Sequence, residues 1–588
     1  MADAKAWGRP QPRQAPDVPY HNPTASNPIL RGWSLAVVTT VLSSSPMLQG
    51  VLWRMNSFDK LKELPALQGI EPRFDPTVVP KDADGDVLAS VRELSAPQKR
   101  KTPTSFYTSA DFVELYKAGT LTPVDVVEHL LPLIRRDTKP PGKYSVGWIS
   151  VRADLILEEA KASTERYKAG NPLGPLDGVP IAVKDSCDIT GYKQTQGCPV
   201  DFTGPGDKTA WAVAKWQEAG AVILGKTNMH PYGLDTTNVN ATFGTPRNPH
   251  NPAYFPGGSS GGSAYALASG IVPIALGFDG GGSNRIPASF CGMYGLKPTH
   301  GRVSSRAGDE PQQSVTVCGP LASSIDDLAL AYRVMAQPDS LSTTSVAFPS
   351  SLVAPRSSPT GPKRLGIMRS WIERSDPDVV AAFDHAVAHL TKTQGYEVID
   401  ITIPLLPEGQ KAHAMTIVNE ARAYLSPKQY AAMNYHTQLL LATMTGRATG
   451  QDFLFAQRLR SLLMGHLAWL WDKYPGLLVL TPTCTFAGWK IAQESDLKTP
   501  GFMDGDRSLR CMEYVYLANF VGAPAISVPM GYNDEGMPMG LMAMAEWANE
   551  EQLLGFGRQA EGCLGEEGVR RPKGDGRWVD ALEISQRT

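Results

Sequence analysis

Short unbroken apolar runs that end in polar residues give this chain its frame. IVPIAL (271–276), VPIAV (179–183, leading into Lys184 and Asp185), AVIL (221–224) and RLGI (364–367) are the clearest. Runs of this length without alternation fit strands buried on both faces. Pro273, inside the first run, predicts a missing ladder bond there. Around these runs apolar positions recur at helical spacing. Thr108 or Ser109 caps a helix beginning near Asp111 and closing at Gly119. Thr122-Pro123 opens a second helix with Val126, Val127, Leu130, Leu131 and Ile134 on one face. Ala153 to Ala169 forms a third, stopped by Gly170, and Pro377 to Thr393 is amphipathic. Residues 406–475 read as a mostly helical insert expected to wall a pocket, with Met415, Tyr424, Tyr430, Met433 and Phe453 as candidates. Buried strands alternating with helices imply an α/β protein with its chemistry at strand ends.

The stretch 255–304 concentrates that chemistry. It holds two serine-glycine loops, GGSSGG (257–262) and GGGS (280–283), separated by a small, Ala-rich helical segment from Ser263 to Ser269 and by the 271–276 run. Ser283 therefore falls just past a strand end. Three glycines before a serine let backbone N–H groups converge, as a developing oxyanion requires; the plain alternative is a surface turn. A serine becomes a useful nucleophile only when a base takes its proton. Lys184 ends the 179–183 run, where burial favours an uncharged amine, although a strand-end lysine is more often a surface residue. Lys226 shares that setting.

GVPIAVKD, GKTNM, FPGGSSGGSA, the GGGS loop and RIPASFCGMYGLKPTHGRVS, in this order, resemble the amidase signature family, with weaker likeness continuing through LTPT (480–483), NFVGAPAISVPMG (519–531) and GMPMGL (536–541). The resemblance spans roughly 104 to 565 and points to a fungal-type amidase. It implies a large mixed central sheet covered by helices on both faces, and a Ser–cis-Ser–Lys triad. By motif position the nucleophile is Ser283, the relay is Ser259 behind a cis peptide, and the base is Lys184. Gly280, Gly281, Gly282 and Ser283 would supply oxyanion amides; Ser260, Asp279 and Arg285 would support the loop, the last two through an Asp–Arg contact. Phe278, Gly280 and Asn284 depart from the family's usual Thr, bulkier residue and Ile, which bears on loop shape and not on the triad.

Three segments follow: an N-terminal extension (1–103), a catalytic domain (104–575) and a C-terminal tail (576–588). Residues 1–28 are expected to be disordered or draped, 63–101 to be a linker or surface wrap, and 340–362 to be a solvent loop. GWSLAVVTTVLSSSPMLQGVLW (32–53) carries no charge and is long enough to span a bilayer. Its serines and Pro46 favour two short helices capping the core. A peripheral membrane contact through 32–53 stays open, as does a homodimer.

The chain has 588 residues, a formal charge of −2 and seven scattered cysteines without a CxxC pair. Near-neutral charge gives no reason to expect nucleic acid. The cysteines and the polar start, which lacks a signal-peptide pattern, place the protein in the reducing cytoplasm. No cofactor or metal is expected; His385 and His389 sit at i, i+4 without a third ligand. GFGRQA (555–560) lacks a preceding strand and is no dinucleotide motif. The expected activity is hydrolysis of a small-molecule amide, with ester hydrolysis or acyl transfer on the same triad as alternatives. GGSSGG also satisfies G-x-S-x-G, so an esterase using His300 is a rival. An amidotransferase component or a non-catalytic scaffold is another.

Overall fold

The computed structural model describes residues 6–22, 27–80, 91–100, 105–306, 311–350, 361–574 and 576–586. An 11-stranded mixed sheet forms the body. From one edge its strands run Glu397–Asp400, Arg364–Ile367, Leu477–Pro482, Pro538–Met544, Ala525–Tyr532, Tyr294–Lys297, Val317–Ala322, Ile274–Asp279, Pro180–Lys184, Val222–Thr227 and Trp148–Ser150. The site lies where the strands ending at Lys184 and Asp279 run side by side. Ile181, Ala182 and Val183 pair in parallel with Ile274, Ala275 and Leu276. Parallel pairing carries both C-terminal ends to one side of the sheet. Every residue of these two strands is buried, which explains why their sequence shows no alternation. The Ile274–Asp279 strand begins one residue after Pro273, so the proline stands before the ladder instead of breaking it.

The expected helices form close to their capping signals. Thr108 and Asp111 make a capping box on Ser109–Lys117, and Thr122 and Asp125 make another on Pro123–Ile134. The 406–475 region folds as Leu406–Ala423, Pro427–Ala431, Tyr435–Thr445 and Gly450–Lys473. Residues 576–586 pack onto the body: Ala581 and Leu582 are buried, and Trp578 sits edge-on to Phe106.

The described part of the extension is draped and tied down. Arg9 bridges Asp472 and Glu546, Ala15 N donates to His466, Tyr20 donates to Glu513, and Asn27 donates to Asp506. Residues 32–53 form two helices, Trp33–Ser44 and Pro46–Met55, bent by 107°. Ser45 ends the first and caps the second, and Pro46 takes the first helical position. Among the described residues no single helix is long and apolar enough to cross a membrane. One face of the pair is buried, with Leu35 and Leu42 against Leu439. The other leaves Trp33 at 82 % and Met47 at 77 % exposure, with Val37, Val41 and Met55 also outward.

Buried histidines make stability depend on pH. Burial lowers His230 to about 3, and lowers His250 and His413 to about 4 against the bonds to Cys291 O and Gly280 O. The unfolded chain binds these protons near pH 6.5 and the folded chain does not. Stability from each ring is therefore complete above about 6.5 and falls as pH drops toward 4. Asp327 works in the opposite direction, since burial raises it to about 7 despite donors from Ser109 and Ser324. Each group changes stability by about 1.4 kcal/mol per pH unit across its window. His300, His436 and His466 are lowered by burial too, and Glu159 and Glu420 are raised by it, so six rings against three acids predict a lower unfolding midpoint at pH 5 than at pH 7 in denaturant titrations. An unchanged or higher midpoint at pH 5 would contradict this.

Candidate active site

Lys184, Ser259 and Ser283 open onto one cavity of about 880 Å³. Lys184 stands at its strand end with 2 % exposure, and its Nζ donates to Ser259 Oγ at 2.8 Å and to Phe278 O at 3.3 Å. The Gly258–Ser259 peptide is cis. Close backbone approach explains the glycines around it. A Cβ on Gly258 would meet Asn238 N and Asp235 O at 2.8 Å, and one on Gly262 would meet Asn228 O at 2.3 Å. Ser260 links the two loops: its N donates to Ser283 O at 3.2 Å, and its Oγ reaches Phe278 O and Asn284 Oδ1, both at 3.3 Å.

Asp279 organises the second loop. Its carboxylate receives Arg285 through two bonds of 2.9 and 3.0 Å, Gly282 N at 2.7 Å, Asn284 N at 3.2 Å and Asn519 Nδ2 at 3.0 Å. Both Asp279 and Arg285 are fully buried. Burial works to raise the carboxyl, and the Arg285 guanidinium overrides it, holding it well below the usual carboxylate range. The bond from Gly282 N narrows the expected oxyanion set. This amide points at Asp279, and Gly282 does not line the cavity, whereas Gly280, Gly281 and Ser283 do. Gly282 is instead required by the turn, at φ 104°, where a Cβ would meet Val515 Cγ2 at 2.4 Å.

The departures from the family pattern fit their surroundings. A Cβ on Gly280 would meet Thr316 Oγ1 at 2.5 Å and Ile417 Cδ1 at 3.1 Å, so these neighbours occupy a side chain's place. Asn284 donates to Leu296 O and Gly319 O and fastens the loop to two strands. Phe278 lines the cavity and gives its carbonyl to Lys184.

Two supporting residues are not evident from the sequence. His413 Nε2 donates to Gly280 O at 2.7 Å, and the carbonyl acceptor fixes that tautomer on a neutral ring. Asn519 donates to Asp279 O at 2.6 Å and receives Arg285 Nη2 at 2.7 Å. A lone Asn inside the apolar run YLANFVGAP was the available signal; His413 offered none beyond its place on a packed helix.

Other candidates go elsewhere. Lys226 Nζ lies 3.1 Å from Asp185 Oδ1, both fully buried, a structural ion pair. Of the five residues expected in the pocket wall, none lines the catalytic cavity. Met415 and Met433 are buried in the core, Tyr424 faces solvent, and Tyr430 and Phe453 pack away from the cavity. The insert contributes Gln410, Ala414, Ile417, His436, Leu440 and Met444 instead. Among the described residues no group of three or more His, Cys, Asp or Glu has metal-site geometry. His300 bonds Thr77 Oγ1 at 2.7 Å and Gln313 O at 2.8 Å, outside the cavity. His300→Gln is expected to keep kcat/KM for an amide within about threefold of wild type, as suits a residue away from the chemistry. A loss of 100-fold or more would restore the histidine-dependent alternative.

A buried strand-end lysine bonded to a cis serine lines the same cavity as a second serine on a glycine loop. The family model "Amidase" matches residues 144–554, and the chain belongs to the amidase signature family. It is 31 % identical over 565 residues to a fatty acid amide hydrolase of Medicago truncatula, with 90 % of each chain covered. It is also 31 % identical over 509 residues to a fatty acid amide hydrolase of Arabidopsis thaliana, covering 83 % of this chain and 79 % of the relative. Among solved structures, a bacterial aryl acylamidase of the family superposes with a TM-score of 0.67 at 26 % identity, over 83 % of this chain and all of the other.

Proposed function

We propose that amide cleavage here uses Ser283 as nucleophile, Ser259 as proton relay and uncharged Lys184 as base. The 2.8 Å separation of Lys184 Nζ and Ser259 Oγ carries this reading, because an uncharged amine accepts the Ser259 proton across it. Lys184 takes a proton through Ser259 as Ser283 Oγ attacks the carbonyl, and the same path returns it to the leaving nitrogen. Water then attacks the Ser283 ester and releases the carboxylate. The amides of Gly280, Gly281 and Ser283 face the developing oxyanion.

The preferred substrate in this reading has a sizeable apolar acyl part. The cavity is large for a small aliphatic amide, and Leu42, Leu52, Leu440, Met444 and Met503 line it. A fatty acid amide hydrolase is similar over most of the chain. The exposed apolar face of 32–55 then serves as a peripheral contact with a lipid surface, since the opposite side of the same two helices forms cavity wall. The enzyme works in the cytoplasm, a placement supported by seven buried cysteines that are all free thiols.

Acid release from a panel of amides, with acyl chains from acetyl to oleoyl, tests this. Expected are rates rising with acyl length and flotation with phosphatidylcholine vesicles that Trp33→Ser with Met47→Ser abolishes. No acid release from any amide by folded protein would contradict the catalytic reading. A vesicle-independent dimer that the same double variant dissolves would assign the face to a second copy of the chain.

A further inference from the structure

The loop 230–238 lies directly against the serine that Lys184 touches. His230 N donates to Ser259 O at 3.2 Å, Gly258 N donates to Thr236 O at 2.7 Å, and a Cβ on Gly233 would stand 3.6 Å from Ser259 Oγ. This loop brings Asp235 into the wall of the cavity that holds Ser283. The Asp235 side chain is only 6 % exposed. Its oxygens accept neutral donors: Ser508 Oγ at 2.8 Å, Thr237 N at 3.3 Å and Thr237 Oγ1.

Among the described residues no lysine or arginine makes an ion pair with Asp235; its ionisable neighbours are His230 Nδ1 at 3.8 Å and His436 Nε2 at 3.9 Å. Burial lowers both rings against the pull of the Asp235 carboxylate, His230 to about 3. Burial also works to raise Asp235, and the facing rings in their protonated form and the Thr237 bonds bring it below its ordinary value. At neutral pH a carboxylate thus faces two uncharged imidazoles. Around it, both ring nitrogens of His230, Nδ1 of His436 and Oγ1 of Thr236 are buried without a hydrogen-bond partner among the described residues. Buried charge is costly unless an opposite charge and further hydrogen bonds meet it. Asp235, Thr236 and His436 all line the catalytic cavity, and Asp235 and His436 also border a smaller cavity of about 200 Å³ beside His230, so a group entering the catalytic cavity can reach this charge.

We propose that Asp235, with Thr236 and His436 beside it, forms a subsite of the catalytic cavity that holds a protonated amine on the substrate. An alkylammonium carries three N–H donors and no acceptor. One donor suits the carboxylate, and Thr236 Oγ1 and His436 Nδ1, buried beside it without a partner among the described residues, accept the others once their side chains turn to the ligand. The substrate class becomes an amide joining an apolar part to a part that ends in an ammonium group. This rests on the reading that the cavity is where the amide is cleaved.

The test uses pairs of amides matched in shape, one ending in an ammonium and the other in a methyl group, on the acyl side and on the amine side. The ammonium member should have the higher kcat/KM by tenfold or more on one side. Asp235→Asn should lower that ratio at least tenfold, chiefly through KM, which a merely structural loss would not do because it lowers both members together. A preference for the methyl member on both sides, or an unchanged ratio in Asp235→Asn, would overturn the proposal. Calorimetric titration of n-hexylammonium and 1-hexanol into the unmodified enzyme needs neither the variant nor turnover. Ammonium binding at least tenfold tighter is expected, and equal binding would overturn the subsite. Failure of every amide in the series to release acid would instead sink the hydrolase mechanism, and the titration would still decide on the subsite.

Discussion

Ser283→Ala lowers kcat for amide hydrolysis by at least about 10⁴-fold and leaves the unfolding midpoint close to wild type. The hydroxyl is the atom that forms the acyl bond in the proposed mechanism, so nothing in the cavity substitutes for it. Ser283 is partly exposed to the cavity, and its backbone, not its side chain, receives the bond from Ser260 N. Removing Oγ therefore leaves the loop's observed ties in place. Lys184→Ala should fall by a comparable factor, because residues that act as one proton path are not additive. The double variant then falls no further than either single one. Ser259→Ala should lose roughly 10²–10⁴-fold, the usual worth of positioned proton transfer. Steady-state kinetics with an anilide substrate, beside circular dichroism to confirm folding, measures all four. A folded Ser283→Ala with wild-type turnover would remove the nucleophile from the scheme.

Arg285→Ala is expected to cost stability on the scale of a broken buried ion pair, about 3–5 kcal/mol. The physical reason is asymmetric. Arg285 and Asp279 have no exposed side-chain surface, and removing the guanidinium strands a carboxylate in the interior. Asp279 also holds Gly282 N and Asn284 N, which flank Ser283, so activity falls with stability. Arg285→Lys should restore little. A lysine places one point of charge where Arg285 makes a two-pronged bond and also reaches Asn519 Oδ1. Asp279→Asn with Arg285→Met, which removes both charges, should be less damaging to stability than Arg285→Ala. Denaturant midpoints for the three variants distinguish these outcomes. A midpoint for Arg285→Ala near wild type would show that the pair does not brace the loop.

The strand ends, the two serine-glycine loops and the capped helices were legible because each has a local cause. Buried parallel strands carry continuous apolar runs, and positions where the chain approaches itself closely demand glycine. Thr122-Pro123 and Ser45-Pro46 announce helix starts through their own side chains. The cavity walls were not legible, for a reason equally physical. Met415 and Ile417 lie on one helix two residues apart and share an apolar character, yet only Ile417 lines the cavity. Which face of a helix turns to a cavity depends on the elements packed behind it, and the local pattern is the same for core and wall. Gly282 shows the same limit: GGGS suggests a uniform row of donors, but Asp279 draws one amide away. Asp235 sits in an unremarkable polar loop, and only the approach of His436, 201 positions along the chain, isolates its charge.

Peptide mass mapping after treatment with a fluorophosphonate tests the central claim most directly, because it reports which oxygen is nucleophilic and whether Lys184 makes it so. Expected is a single adduct on Ser283 in the wild-type enzyme, formed at least about 10²-fold more slowly in Lys184→Ala. An adduct on Ser259 or Ser260, or equal labelling of Ser283 with and without the lysine, would contradict it.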